Sequence, residues 1–243
     1  EVFTPITLVN EMLDKLDEYY TKEHNHSIFT EKDFKWLDPA NGMGNFPIIV
    51  YQRLMKGLKE QIKNKKLRKK HILENMLYMS ELNKKNVFIC KQIFDINNEY
   101  KLNLYNGDSL QLDTKKEWEV DKFDVIMGNP PYNKGGIRSH TGKLLNDVGE
   151  KNETIWPKFV DYSLNILKEN GFLVFINPLS WLRKSHSLHD KLLKKYIIWL
   201  KLWDDSQSKN IIHADIPLSL YVFRNTFNIN NNKIGLNMAD IIE

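Results

Sequence analysis

The stretch Asp124 to Tyr132, DVIMGNPPY, constrains this chain more than any other. Phe123 to Met127 carry the apolar bias of a strand, which runs into Gly128 and then into Asn129-Pro130-Pro131-Tyr132. Two successive prolines fix φ and remove backbone donors, so the chain leaves any ladder there and stands as a rigid bulge at the strand's carboxyl end. In an open α/β sheet that end is where ligands bind. The carbonyls near Asn129 and Pro130 are left pointing outward, Asn129 adds a side-chain carbonyl, and Tyr132 adds a flat face with a polar tip. Two acceptors beside an aromatic platform suit a planar group bearing an NH2. A proline-stiffened turn with a stacked Tyr is the plainer alternative.

The 243 residues, 42% hydrophobic and 12% aromatic, suffice for one sizeable core. No apolar run reaches membrane-spanning length and no signal peptide is visible, so no membrane partner is expected and the protein is read as cytoplasmic, nucleoid or nuclear rather than secreted. One cysteine, Cys90, excludes an internal disulfide framework and a zinc cluster. The net charge of +4 permits nucleic-acid binding without arguing for it. The start at Glu1 and the stop soon after the run Asn228 to Asn232 read as a piece of something longer: a catalytic domain over 1–226, then 227–243 as a tail or the start of a missing recognition region.

Along the chain, apolar residues at helical spacing follow Thr4-Pro5, a hydroxyl cap with proline in the first turn. Lys35 to Leu37 reads as the first strand, leading into DPANGMGNFP and a helix from Pro47 to about Leu58. The glycines Gly42 and Gly44 allow close backbone approach to a ligand, and the helix behind them offers free N–H groups. Residues 56 to 71 form a dense basic run, either a solvated inserted helix or a phosphate-contacting surface. Leu77 to Ser80 is the second strand with Glu81 at its tip, where an acid can bond both ribose hydroxyls of a nucleoside. Leu102 to Tyr105 is the third strand, followed by the turn Asn106-Gly107-Asp108-Ser109. Asn133 to Glu153 is a polar loop carrying Lys134, Arg138, His140 and Lys143, of a length that inside compact domains belongs to functional or disordered segments. A helix from Ile155 to Glu169, a buried strand Phe172 to Ile176, a helix near Leu188 to Ile198 and a last strand Leu218 to Phe223 complete the pattern, with Trp181 as packing.

NPPY after an apolar strand resembles motif IV of the S-adenosylmethionine-dependent amino methyltransferases, which modify adenine N6 in DNA or, in a related branch, glutamine in release factors. DPANGMGNFP resembles their motif I almost residue for residue, Glu81-Leu82-Asn83 their motif II, and Asp108 their motif III. Phe3-Thr4-Pro5 resembles motif X of the adenine enzymes ordered X, I, IV, and GFLVFINPLSWL their next strand. The resemblance covers about residues 3 to 224. It implies an α/β, Rossmann-like seven-stranded class I methyltransferase sheet with helices on both faces and an antiparallel last strand. It further implies S-adenosylmethionine held by Thr4, Pro5, Asp38, Ala40, Gly42, Gly44, Asn45, Phe46, Glu81, Asp108, Ser109 and Asn129, with no metal required. Asn129, Pro130, Pro131 and Tyr132 would be catalytic. DNA would be the partner, contacted by Tyr132, Lys134, Arg138 and His213, where a second stacking aromatic would fall near Ile212 or His213. The implied activity is adenine-N6 methylation of flipped-out DNA in a restriction-modification setting, with target recognition in a separate domain or subunit. The same tetrapeptide also serves protein-glutamine and RNA methyltransferases, and a noncatalytic subunit of the same fold is the remaining alternative.

Overall fold

Residues 4–134 and 153–227 are described in a computed structural model of the chain. Seven strands form one sheet in the order β3-β2-β1-β4-β5-β7-β6. They are β1 (Trp36–Asp38), β2 (Leu77–Glu81), β3 (Asn103–Asn106), β4 (Phe123–Gly128), β5 (Leu167–Pro178), β6 (Lys195–Trp203) and β7 (Leu218–Phe227). β1 to β5 pair in parallel, whereas β7 lies antiparallel between β5 and β6. This is the expected class I methyltransferase sheet with its antiparallel last strand.

The strands β1, β2, β4 and β5 from Gly171 onward are buried at consecutive positions because both faces are covered. In β5, Phe172, Val174 and Ile176 point into one core with Trp36, Val125 and Met127, while Leu173 and Phe175 point into the other with Leu37 and Ile126. The first core is closed by α1 (Ile6–His24), α2 (Asn45–Gly57) and α4 (Lys84–Asp95), and the second by α6 (Trp156–Ile166) and α7 (His189–Leu193). Trp36, Trp156 and Trp181 are fully buried. Trp181 also donates Nε1–H to Ser219 Oγ at 2.8 Å, so it packs, as anticipated. Among the described residues no helix is long and apolar enough to cross a membrane.

Three local readings change. The helix expected to run to Glu169 ends at Ile166, because Lys168 is drawn to Asp124 of β4 at 2.7 Å and Asn225 Nδ2–H donates to the Lys168 carbonyl at 2.9 Å. Those bonds align Leu167 with Phe123 and extend the fifth strand backward, with Asn170 at φ 61°. The helix expected over Leu188 to Ile198 is only α7, after which Lys195 to Trp203 become the edge strand β6. Thr4 does not cap α1: Pro5 is the N-cap residue, with no side-chain bond, and Thr4 is buried instead. The basic run supplies α3 (Lys65–His71), which passes through a π-helical turn, Ile72–Met76, into β2 and so lies at the amino edge of the sheet. Two short helices were not anticipated, α5 (Thr114–Trp118) and α8 (Asp205–Ile212). Phe3, the loop residues Arg138, His140 and Lys143, and the tail beyond Phe227 lie outside the described residues.

Candidate active site

Parallel pairing aligns Trp36 with Val125 and Leu37 with Ile126, so β1 and β4 end side by side and deliver Asp38 next to Gly128. Gly128 has φ +149°, and a Cβ there would stand 2.7 Å from Asp38 Oδ1. Only glycine lets the two strand ends close on each other. Asp38 is 1% exposed and its Oδ1 accepts from the Ala40 N–H at 3.0 Å. Burial, reinforced by the charge of Glu81 and opposed by that N–H, pushes its carboxyl up to about 8.

The loop after β1 turns at Gly44, whose φ of +92° forms the N-terminal cap of α2. A Cβ at Gly44 would press on Cys90 Sγ at 3.3 Å, so the loop is seated directly on α4. The loop is also held from β2. Glu81 accepts the Gly42 N–H at 2.8 Å and the Asn83 N–H at 2.7 Å, and Asn41 N–H donates to the Ser80 carbonyl at 3.1 Å. Asn45 Nδ2–H reaches the Thr4 carbonyl at 2.8 Å, tying the entry to α1 onto the same loop.

These contacts leave an open cleft beside the loop. Thr4, Asp38, Ala40, Gly42, Asn45, Phe46 and Asn129 all line it, which joins three stretches far apart in the chain. Two lining residues were not singled out from the sequence, Met43 and Asn41. Asn41 donates Nδ2–H to the Gly42 carbonyl at 2.9 Å and to Cys90 Sγ at 3.0 Å, and its buried Oδ1 has no partner among the described residues. The signal was its place inside DPANGMGNFP, where side-chain amides brace tight loops on the backbone.

The remaining candidates lie apart from that lining. Asp108 is exposed after β3, with Oδ1 accepting from the Leu110 N–H at 3.0 Å. Ser109 is buried, and its hydroxyl is engaged by the Pro39 carbonyl and by Ser80 Oγ, so it braces the two strand tips. Pro5 accepts the Leu8 and Val9 N–H groups through its carbonyl.

In the tetrapeptide, Pro130 is buried, Pro131 exposed, and Asn129 and Tyr132 half-buried. Tyr132 packs against both cores, and its hydroxyl donates to Asn129 Oδ1 at 2.8 Å. Its carbonyl accepts the Ile155 N–H at 3.0 Å, Lys134 N–H donates to the Glu153 carbonyl at 2.9 Å, and Asn133 bridges Thr154. Lys134 is therefore exposed at a closed neck beside the tetrapeptide. His213 caps α8 in the left-handed conformation at φ 56° and is exposed, whereas Ile212 is in the core. α8 lies between β6 and β7 at the carboxyl edge, the edge of the tetrapeptide.

The cleft wall thus brings together the glycine loop, the buried Asp38 carboxyl and the orphaned Asn41 Oδ1, while Glu81 holds the loop from β2. No group of three or more His, Cys, Asp or Glu side chains among the described residues is arranged to hold a metal.

Residues 68–213 match the model of a family described as Eco57I restriction-modification methylase. A Mycoplasma pneumoniae protein described as an uncharacterized adenine-specific methylase is 26% identical over 85% of this chain and 63% of its own length. The type II methyltransferase M.TthHB8I of Thermus thermophilus is 34% identical over 27% of this chain and 18% of its own length. Among solved structures, the DNA-bound type ISP restriction-modification enzyme LlaBIII superposes with a TM-score of 0.64 at 19% identity, over 93% of this chain and 19% of that one. The chain thus spans less than two thirds of the relatives it matches.

Proposed function

The chain belongs to the Eco57I restriction-modification methylase family, and from that premise we propose that it transfers a methyl group from S-adenosylmethionine to the exocyclic N6 of an adenine flipped out of DNA. The observation that carries this reading is the meeting of Asn129 with the glycine loop and Thr4 on one cleft wall. S-adenosylmethionine supplies a sulfonium-bound methyl, an electrophilic carbon with a neutral leaving group.

Glu81 at the tip of β2, whose carboxylate accepts the Gly42 and Asn83 N–H groups, would take the ribose hydroxyls. Asp108 would accept from the cofactor's adenine, and Asp38, Ala40, Asn45 and Thr4 would line its methionine end. Asn129 Oδ1 and the Pro130 carbonyl would each accept one N–H of the target amine. That pulls the nitrogen toward a pyramidal geometry and directs its lone pair, otherwise delocalised into the ring, at the methyl. Orientation of this kind is worth up to about 7–11 kcal/mol.

Tyr132 would stack on the extruded base, contributing about 1–3 kcal/mol against an unstacking cost of a few. Its hydroxyl must first release Asn129 Oδ1. Lys134 and Arg138 would contact flanking phosphates, and His213 would approach the base from the far side. The remaining length of the relatives leaves room for a recognition domain or subunit to select the target sequence.

The test is methyl transfer from labelled S-adenosylmethionine to mixed-sequence DNA, RNA and release-factor protein in parallel, with Asn129→Ala as control. The expected product is N6-methyladenine in DNA, lost in the variant. Label confined to RNA or protein would refute the DNA reading. Cofactor binding with no transfer to any substrate would favour the noncatalytic subunit.

A further inference from the structure

The long basic run is the obvious place to look for a phosphate contact, yet it sits at the wrong edge. α3 feeds into the start of β2, so its lysines stand at the amino edge, opposite Gly128. Several are also occupied, Lys66 by Glu99 at 3.1 Å, Lys70 by Glu74 at 4.0 Å and Lys69 over the Tyr100 ring at 4.9 Å.

A second, shorter basic element lies at the carboxyl edge. β5 ends at Pro178, beside the end of β4, and passes through a 3-10 turn, Leu179–Leu182, into Arg183, Lys184 and the segment up to α7. Its position relative to the tetrapeptide follows from a chain of contacts. The Tyr132 carbonyl accepts the Trp156 N–H at 3.5 Å. The buried Trp156 ring stacks on His186, centroids 5.0 Å apart and planes 18° apart. His186 N–H donates to the Arg183 carbonyl at 2.9 Å, and the Leu188 N–H donates to His186 Nδ1 at 3.1 Å. The loop is therefore clamped to the residue that follows the neck beside Tyr132. Arg183 and Lys184 are exposed, and neither forms an ion pair with a described residue.

We propose that Arg183 and Lys184, held by the His186–Trp156 stack, form a binding site for the phosphodiester backbone of the DNA strand that carries the target base. The inference rests on the DNA reading above. A base extruded into the tetrapeptide leaves its flanking phosphates over this edge, and a pinned backbone holds two cations there without an internal partner to give up. Arg183 is suited to bidentate contact with a phosphate and Lys184 to a point contact.

The experiment measures KM for mixed-sequence DNA from about 50 to 200 mM salt, where each neutralised phosphate contributes about 0.9 to the logarithmic slope. The proteins are the wild type, Arg183→Ala/Lys184→Ala, the exchange Arg183→Lys/Lys184→Arg, and Lys59→Ala/Lys63→Ala at the amino edge. The alanine pair should lower the slope by about 2 and raise KM roughly tenfold or more at low salt, with the loss in KM rather than kcat and with unchanged S-adenosylmethionine affinity. The charge-preserving exchange should keep most of the slope, and the amino-edge pair all of it. An alanine pair with wild-type slope and KM, or an equal loss from the amino-edge pair, overturns the proposal. Wild-type protein that methylates RNA or protein but not DNA overturns the underlying reading instead, and is seen before any variant is compared.

Discussion

Tyr132→Phe isolates one oxygen atom. The Tyr132 hydroxyl donates to Asn129 Oδ1 at 2.8 Å, and the ring packs against both cores. Under the proposed mechanism that acceptor must receive the target amine, so the hydroxyl competes with the substrate. Phenylalanine keeps the ring and removes only the competitor. An intramolecular hydrogen bond contributes about 0.5–1.5 kcal/mol net. Asn129 is half-exposed, so water can reach the vacated lone pair and no desolvated orphan results. The free enzyme should therefore lose about 0.5–1.5 kcal/mol, a fall in Tm of roughly 1–6 °C at about 2–4 °C per kcal/mol. The target-bound state, in which the hydroxyl has already released Oδ1, loses nothing. The difference should surface as a KM for DNA lower by about two- to tenfold, since 1.36 kcal/mol is tenfold, with kcat near that of the wild type. Steady-state methylation and a thermal melt measure both quantities. A raised KM together with a collapse in kcat would refute the reasoning and make the hydroxyl part of the productive arrangement.

Gly128→Ala would place a Cβ 2.7 Å from Asp38 Oδ1 at φ +149°, and should cost about 1–3 kcal/mol from the backbone alone, read as a lowered urea midpoint. Asp38 is held up at about 8 by its burial. With an unfolded value near 3.9, the folded protein binds the extra proton between about pH 4 and 8, so stability should fall as pH rises through that window. Urea midpoints across the window should decline for the wild type and stay flatter in Asp38→Asn; parallel curves would show that another group carries the trend. Trp181→Phe removes the donor to Ser219 Oγ and should cost about 1–3 kcal/mol while leaving S-adenosylmethionine affinity unchanged by calorimetry.

The parallel half of the sheet was legible because its strands are short, apolar and each followed by a turn with its own chemistry. Glu81 and Gly128 fall at the strand tips read for them. β6 was not legible. KYIIWLKLW is apolar at consecutive positions, half-buried, and paired in the sheet only with the distant β7, so its periodicity does not distinguish a helix from a strand. α8 had a readable signal in the capping box of Asp204 and Gln207. Of the cleft, the joining of Thr4, Asn45 and Asn129 followed from the motifs, but the support of the glycine loop by Asn41 and Cys90 is a contact between distant positions that no local pattern encodes. The neighbouring residues Ile212 and His213 are separated by where α8 ends. The left-handed cap puts the isoleucine into the core and the histidine outside.

The neck beside the tetrapeptide bears on how such a chain can diversify. Lys134 meets Glu153, Asn133 bridges Thr154, and Ile155 holds the Tyr132 carbonyl, so the backbone enters and leaves through one clasp. Closing a longer loop costs only about 0.6 kcal/mol per doubling of its length. The clasp is in effect a socket. Sequence between Lys134 and Glu153 can change in number or kind while Tyr132 stays anchored from behind, without any rebuilding of the strand that carries Asn129.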